Sequence, residues 1–205
     1  MTLLNRNHAS KATRPASNRA TIETLETRRL YAAHAAAVTA GVVDGTLEVT
    51  GTGGDDQIFV SMQPGGSGLV QVESGSGLLG AFDPASFPNG IHVSGRAGDD
   101  LIVVFSTVQI PAHLEGNGGA DVLAGGGGDD LIEGGIGNDQ LAGGNGNDVL
   151  DGGGGKDDID GGAGDDVLIG GHGGDHLAGG AGADTFKTNR PSEIADLTAE
   201  DSVIA

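Results

Sequence analysis

Aspartate recurs at every ninth residue through the C-terminal half of the chain, with glycines at fixed positions before it. The unit reads GGxGxDxUx, where U is Ile, Leu or Phe, and eight copies run without a break from residue 116 to residue 187. Two degenerate copies, 51–59 and 95–103, precede them. Carboxylates repeated in this way are suited to binding hard cations. Position 6 is aspartate in all ten copies: Asp56, Asp100, Asp121, Asp130, Asp139, Asp148, Asp157, Asp166, Asp175 and Asp184.

The glycines of the unit indicate a tightly curled turn. Positions 1 and 4 are glycine in all ten copies, whereas position 5 takes Asp, Asn, Ala, Lys or Gly. Fixed glycines favour positive φ angles and close approach of chain to chain, so the carbonyls of GGxGxD can converge. Calcium takes six to eight oxygen ligands, including backbone carbonyls, while magnesium requires a tighter octahedron. Zinc would need His or Cys, which the repeated positions lack. The turn therefore predicts calcium.

The three residues after the turn predict a short strand whose middle residue, at position 8, points inward. Two units then form one coil of about 18 residues, and successive coils stack as parallel strands about 4.8 Å apart. Turns alternate between the two sides of such a stack. Copies 18 residues apart in sequence are therefore neighbours along the stack, and their carboxylates would repel each other without a cation between them.

This stacking predicts six calcium ions, each between two aspartates 18 residues apart. A seventh site, between Asp100 and Asp121, would need a longer coil because these residues are 21 apart in sequence. Asp56 is too isolated to assign. The six pairs are Asp121 with Asp139, Asp139 with Asp157, Asp157 with Asp175, Asp130 with Asp148, Asp148 with Asp166, and Asp166 with Asp184.

The eight continuous copies resemble the RTX (repeats-in-toxin) family of hemolysin-type calcium-binding proteins. The resemblance implies an all-β fold, a right-handed parallel β-roll, with calcium held in the turns by the position-6 carboxylates and by backbone carbonyls. Copy 1 departs at Asn117 and copy 5 at Lys156, which we expect to point to solvent. The implied carbonyl donors, at positions 1 and 3, are Gly116, Gly118, Gly125, Gly127, Gly134, Ile136, Gly143, Asn145, Gly152, Gly154, Gly161, Ala163, Gly170, His172, Gly179 and Ala181.

Composition limits the classes of partner and scaffold. The 205 residues carry a net charge of −19, which disfavours nucleic acid and anionic membranes. The chain has no cysteine, which excludes a disulfide scaffold and a thiolate zinc site. No apolar run of about 18 residues is present, so insertion into a membrane is not expected.

The charge is divided unevenly and suggests four segments. Residues 1–40 carry a charge of +4 and the remainder −23. We expect 1–40 to be a basic export leader, with a small-residue cleavage zone near Ala37 or Ala40, and IETLETRRLYA resembles the LE-x-R leader of some bacterial exported proteins. An amphipathic helix or a disordered tail is the alternative. Residues 41–115 predict an irregular β-solenoid, 116–187 the roll, and 188–205 a cap in which Ser192 begins a short helix and Ile194, Leu197 and Val203 cover the open end.

These features predict a secreted or cell-surface calcium-binding protein without catalytic activity. A glycine-rich chain with few inward side chains should be close to unfolded without metal, so calcium is expected to drive folding. The partner expected is a cell-surface glycan or protein, in a surface or matrix role. The alternative is an accessory or carbohydrate-binding module of a secreted enzyme system. HExxH and P-loop motifs are absent, His172 and His176 occupy variable positions, and Asn recurs too rarely for an ice-binding ladder.

Overall fold

The computed structural model describes residues 37–188 and 190–204, and its regular structure is almost entirely β. Most of the expected leader lies outside these residues, although Thr39–Val43 forms the first strand. Two 3-10 turns occur, at Pro84–Ser86 and Pro191–Glu193. The strands are β1 (Thr39–Val43), β2 (Thr46–Thr50), β3 (Gln57–Met62), β4 (Val70–Ser74), β5 (Gly77–Phe82), β6 (Ile91–Ala97), β7 (Leu101–Val104), β8 (Ala112–Gly118), β9 (Val122–Gly126), β10 (Leu131–Ile136), β11 (Gln140–Asn145), β12 (Val149–Gly155), β13 (Asp158–Ala163), β14 (Val167–Ile169), β15 (His172–Gly173), β16 (His176–Ala181), β17 (Thr185–Lys187) and β18 (Ser202–Ile204).

The strands form two mostly parallel sheets. Sheet A has the order β1-β2-β6-β8-β10-β12-β14-β17-β18, with β15 also paired to β12, and sheet B has the order β16-β13-β11-β9-β7-β3-β4-β5. Within the repeats each residue pairs with the residue 18 further on, as Leu131 does with Val149 and Gln140 with Asp158. The predicted β-solenoid of 18-residue coils is therefore confirmed.

Most strands of the roll are longer than the three residues predicted. β10, for example, runs from Leu131 at position 7 of one copy to Ile136 at position 3 of the next. The glycines at positions 1 and 2 thus take part in the strands rather than forming the turn alone. The reason is that backbone groups buried between coils must be hydrogen-bonded, and pairing with the adjacent coil satisfies them.

The core is a layer of apolar side chains, mostly aliphatic, that both sheets contribute. Every position-8 residue of the eight regular copies is buried, as predicted. On sheet A, Leu47 of β2, Ile91 of β6 and Ala112 of β8 are buried and lie beside one another in register. They stand where the later coils have the position-6 aspartate, beginning with Asp130, which accepts the N–H of Ala112. On this side, the irregular coils therefore hold apolar side chains in the places where the regular coils hold carboxylates.

Of the residues predicted to cover the last coil, only Ile194 packs against the core. It also bridges to Leu177. Ser192 lies within the 3-10 turn Pro191–Glu193 rather than before a helix, because the chain makes only three helical residues there. Leu197 is 54% exposed, and Val203 is partly exposed in β18, which pairs with β17. Within the described residues, no helix is long and apolar enough to cross a membrane.

Candidate calcium site

The position-6 carboxylates stack in two files, one at each edge of the solenoid. In both files, an acidic side-chain oxygen accepts a hydrogen bond from the backbone N–H of the preceding member, at 2.8 Å from Asp100 to Asp121 and 2.9 Å from Asp139 to Asp157. The ladder fixes each carboxylate between two coils. File 1 contains Asp56, Asp100, Asp121, Asp139, Asp157, Asp175 and Glu193; file 2 contains Asp130, Asp148, Asp166, Asp184 and Asp201.

The second carboxylate oxygen, Oδ2, is buried and has no hydrogen-bond partner in eight of these aspartates. Leaving a charged oxygen buried and unpaired is costly, so a cation or a proton is expected to satisfy it. The donor set, carboxylate and carbonyl oxygen, suits calcium. The eight aspartates are Asp100, Asp121, Asp130, Asp139, Asp148, Asp157, Asp166 and Asp175.

Glycine at position 1 leaves room for this oxygen. A Cβ atom on Gly134 would lie 2.6 Å from Oδ2 of Asp139 and 2.9 Å from the carbonyl oxygen of Gly152 in the next coil. The carboxylate and the carbonyl therefore face the same small space, and any side chain would fill it. The carbonyls so placed are those of Gly134, Gly143, Gly152, Gly161 and Gly179.

The other predicted carbonyl donors lie in the strands and turns around the files. Position-3 carbonyls accept the N–H of a position-4 glycine in the preceding coil, which leaves each carbonyl one further lone pair. The carbonyls seen to do so are those of Gly118, Ile136, Gly154, Ala163 and Ala181. The remaining position-3 residues are Gly127, Asn145 and His172, and the remaining position-1 residues are Gly116, Gly125 and Gly170.

The donors named from the sequence were those at positions 1 and 3, and the structure also brings carbonyls at positions 2 and 4 close to the next coil. The carbonyl oxygens of Gly126 and Gly128 lie where a Cβ on Gly144 and on Gly146 of the next coil would stand, and both of these glycines have positive φ angles. These carbonyls therefore lie against the next coil, and glycine at positions 2 and 4 permits that close approach.

Burial raises the pKa of eight stacked aspartates, and the charges of neighbouring carboxylates raise it further, while the backbone N–H bonds act in the opposite direction. The eight are Asp100, Asp121, Asp130, Asp139, Asp148, Asp157, Asp166 and Asp184. The pKa of Asp130 rises to about 8, and those of Asp100, Asp139 and Asp166 rise to about 6. Without metal, these carboxyl groups therefore bind protons near neutral pH.

A pH dependence follows from these raised pKa values. Between about pH 4 and pH 8 the metal-free folded chain holds more protons than the unfolded chain, so its free energy of unfolding falls as pH rises. Calcium must displace those protons, so the calcium concentration at half-saturation should fall over the same range. Melting curves of the metal-free protein at pH 5 and pH 8 test the first point, and a metal-free protein more stable at pH 8 would contradict it.

A second, outer ladder uses the variable position 5. Where this residue is Asp or Asn, its Oδ1 accepts the position-5 N–H of the next coil, as Asn138 does from Lys156 at 2.8 Å and Asn147 from Asp165 at 2.9 Å. The side chain of Lys156 is exposed, as predicted. His172 and His176 are also exposed and lie on different sheets, so they do not form a pair.

Asp56 shows what happens where the turn sequence departs from the repeat. Thr52 stands at position 2 of this copy, and its backbone N–H and hydroxyl donate to Oδ2 of Asp56 at 2.6 and 2.9 Å. The oxygen that is free in the regular copies is therefore satisfied within the chain. This carboxylate, unassigned from the sequence, joins file 1 without needing a cation.

Glu193 and Asp201 extend the two files beyond the repeats and were missed in the sequence. Glu193 accepts the N–H of Asp175 at 3.3 Å, and Asp201 accepts that of Asp184 at 3.0 Å. Their signal was the spacing, because they follow Asp175 and Asp184 by 18 and 17 residues. The C-terminal segment thus extends both carboxylate ladders beyond the last repeat.

Comparison with known proteins agrees with this geometry. The family model described as RTX calcium-binding nonapeptide repeat (4 copies) matches the chain twice in succession, at residues 115–150 and 151–186. Neither the curated proteins nor the solved structures give a significant match.

Proposed function

From the match of residues 115–186 to RTX calcium-binding nonapeptide repeats, which makes the chain a calcium-binding β-roll protein, we propose a more specific function. The protein is an exported, non-catalytic module that folds when it binds calcium. One observation carries the proposal. Eight stacked aspartates each leave one buried oxygen without a partner, facing the turn. In the one copy where a threonine satisfies that oxygen, the repeat is degenerate.

The ladder supports the six sites expected between paired aspartates and a seventh between Asp100 and Asp121. Asp100 has the same buried, unpartnered Oδ2 and donates its N–H to Asp121 at 2.8 Å, although the coil between them is three residues longer. In each site the two stacked carboxylates and the turn carbonyls would hold the ion. The calcium ion offsets the repulsion between the stacked carboxylates, so that adjacent coils can pack. The oxygen ligands of the ion come from the chain.

The number of ions lost should depend on where in file 2 a carboxylate is changed. Asp148 lies between Asp130 and Asp166, so Asp148→Asn should weaken two sites. Asp130 has the apolar Ala112 on its other side, so Asp130→Asn should weaken one. Asparagine preserves the Oδ1 acceptor of the ladder while replacing the anionic oxygen. Calorimetric titration should show two sites and one site, respectively, weakened at least about tenfold.

The matched control for this titration is Asp56→Asn, because Thr52 already occupies Oδ2 of Asp56. This variant should bind the same number of calcium ions as the unmodified protein. Equal losses from all three variants would contradict the paired-site arrangement. A total well below six in the unmodified protein would contradict the site count.

The calcium concentration outside cells is high enough to drive folding of the proposed module. With a Kd of about 10⁻⁴ M and about 1 mM free calcium, each site contributes roughly 1.4 kcal/mol, and six contribute roughly 8 kcal/mol. This is comparable to the whole free energy of unfolding of a typical domain. The chain would remain unfolded at cytosolic calcium, pass through an exporter and fold outside.

We assign the segments accordingly: 1–40 as export leader, 41–115 as irregular β region, 116–187 as calcium roll and 188–205 as cap. The basic charge of 1–40 against the acidic remainder supports the leader. Fractionation of the producing cells should recover the protein outside them, and N-terminal sequencing should place a cleavage near residue 40. Retention of the uncleaved chain in the cytosol would contradict export.

The partner we propose is a cell-surface glycan or protein, bound in a surface or matrix role. The exposed faces of the two sheets and the acidic net charge support this assignment, since the position-6 carboxylates are all engaged in the ladders. A glycan array and a pulldown from cell-surface extracts, each with calcium and with chelator, distinguish the two classes. Binding that is equal with chelator would contradict a role for the folded roll.

A further inference from the structure

A cluster of histidine and glutamate side chains lies on the outer face of sheet A, away from both carboxylate files. His92 on β6 pairs in register with His113 on β8, and Glu115 lies two residues further along β8 on the same face. One ligand atom from each of these three residues lies within 4.8 Å of the others. Within residues 37–188 and 190–204, this is the one group of three such side chains close enough to share a metal ion.

We propose that this cluster is a zinc site, distinct from the calcium turns. The Nε2 atoms of His92 and His113 lie 3.6 and 3.8 Å from Oε1 of Glu115. Ligand atoms around a tetrahedral zinc ion are about 3.3 Å apart, so a contraction of a few tenths of an ångström brings each Nε2 to that distance from Oε1 of Glu115. Two imidazoles and carboxylates are zinc ligands, whereas calcium prefers oxygen alone.

The hydrogen bonding of His92 prepares it to bind a metal. Its Nδ1 lies 2.7 Å from Oε2 of Glu48 on β2, and a carboxylate can only accept, so Nδ1 carries the proton. Nε2 then holds a lone pair, is buried, and has no hydrogen-bond partner in the structure. A carboxylate that orients the far nitrogen of a histidine is the usual outer shell of a zinc ligand.

His113 and Glu133 complete the coordination. His113 Nε2 donates to Oε2 of Glu133 at 2.8 Å, and Glu133 is the neighbour of Glu115 on β10. When the ion binds, the His113 proton moves from Nε2 to Nδ1, and Glu133 becomes the fourth ligand. No net proton is released. The three carboxylates, Glu48, Glu115 and Glu133, balance the charge of the ion, and the side chains are about one-third to one-half exposed, so the site is open to solution.

The test is zinc titration of the full-length protein with its calcium sites saturated. We expect one zinc ion per chain by calorimetry, and one cobalt ion with the intense visible absorption of tetrahedral Co²⁺. His92→Gln and His113→Gln should each weaken zinc binding at least a hundredfold. Glu48→Ala should weaken it by about 10- to 100-fold, because nothing then orients Nδ1–H of His92.

The matched control is His176→Gln. His176 on sheet B pairs with Asp158 at 2.9 Å, much as His113 pairs with Glu133, but it has no second imidazole beside it. This variant should bind zinc as the unmodified protein does. Calcium-dependent circular dichroism of every variant must match the unmodified protein, so that lost binding is not lost folding.

Three results would overturn the proposal. These are no stoichiometric zinc binding in the calcium-saturated protein, a His113→Gln variant that binds zinc as tightly as the unmodified protein, or a loss in His176→Gln equal to that in His92→Gln. If one histidine variant fails to fold, Glu115→Gln supplies the same test on the other side of the ion.

Discussion

Removing calcium with a chelator is expected to abolish most of the β-sheet circular dichroism of the roll. The reason is the buried Oδ2 of eight stacked aspartates, which is compensated by neither a hydrogen bond nor a basic side chain. Without the ions these carboxylates must either repel each other or take up protons, and about 8 kcal/mol of calcium binding energy is lost at the affinities typical of such sites.

The measurement is thermal unfolding at neutral pH with about 1 mM calcium and with excess chelator, followed by re-addition of calcium. Magnesium at the same concentration is the control, because its tighter octahedron and reluctance to lose water should prevent it from restoring the signal fully. A chelated protein with the same β content and melting temperature as the calcium-loaded one would refute calcium-driven folding.

The loss of structure should be uneven along the chain. The strands β2, β3 and β6 each bury two aliphatic residues where a strand of the roll buries one, with Leu47 and Ile91 in places that later hold aspartate. Their stability depends less on cations than on apolar burial. Hydrogen exchange in chelator should therefore lose protection first in 116–187, and β2 and β3 should retain the most. Earlier loss in β2 than in β11 would contradict this division.

Gly146→Ala is expected to be among the most destabilising single substitutions in the roll. Gly146 stands at position 4 with φ of +123°, a conformation that side chains oppose, and an added Cβ would collide with the carbonyl oxygen of Gly128 in the coil before it. The backbone strain alone costs about 1–3 kcal/mol, and separating the two coils adds the loss of their hydrogen bonds and of a calcium site.

Gly174→Ala is the matched control. Gly174 stands at the variable position 5, and a Cβ there meets nothing within 4 Å. This variant should keep the unmodified melting temperature and calcium stoichiometry in the same thermal and calorimetric measurements. Equal destabilisation by the two substitutions would mean that glycine content, rather than the close stacking of coils at position 4, decides stability.

The sequence by itself determined the repeat chemistry. Nine-residue spacing with fixed glycine, aspartate and aliphatic positions has one compact solution: coils of 18 residues that place position 8 inside and position 6 in stacked turns. The inward residues, the stacking of Asp121 on Asp139, and the exposure of Lys156 follow from that period and from the alternation of a strand. The RTX repeats could be predicted because each copy sees nearly the same surroundings as the next.

Only the tertiary structure decided what lies outside the repeat. It lengthened the strands into positions 1 to 3, because backbone groups between coils must pair, and it brought Glu193 and Asp201 onto the ends of the files. It also set Glu48 beside His92, 44 residues later, since a hairpin of β4 and β5 lengthens the coil between them. Irregular coil lengths carry no periodic signal, so the residues that they bring together cannot be located until the chain is folded.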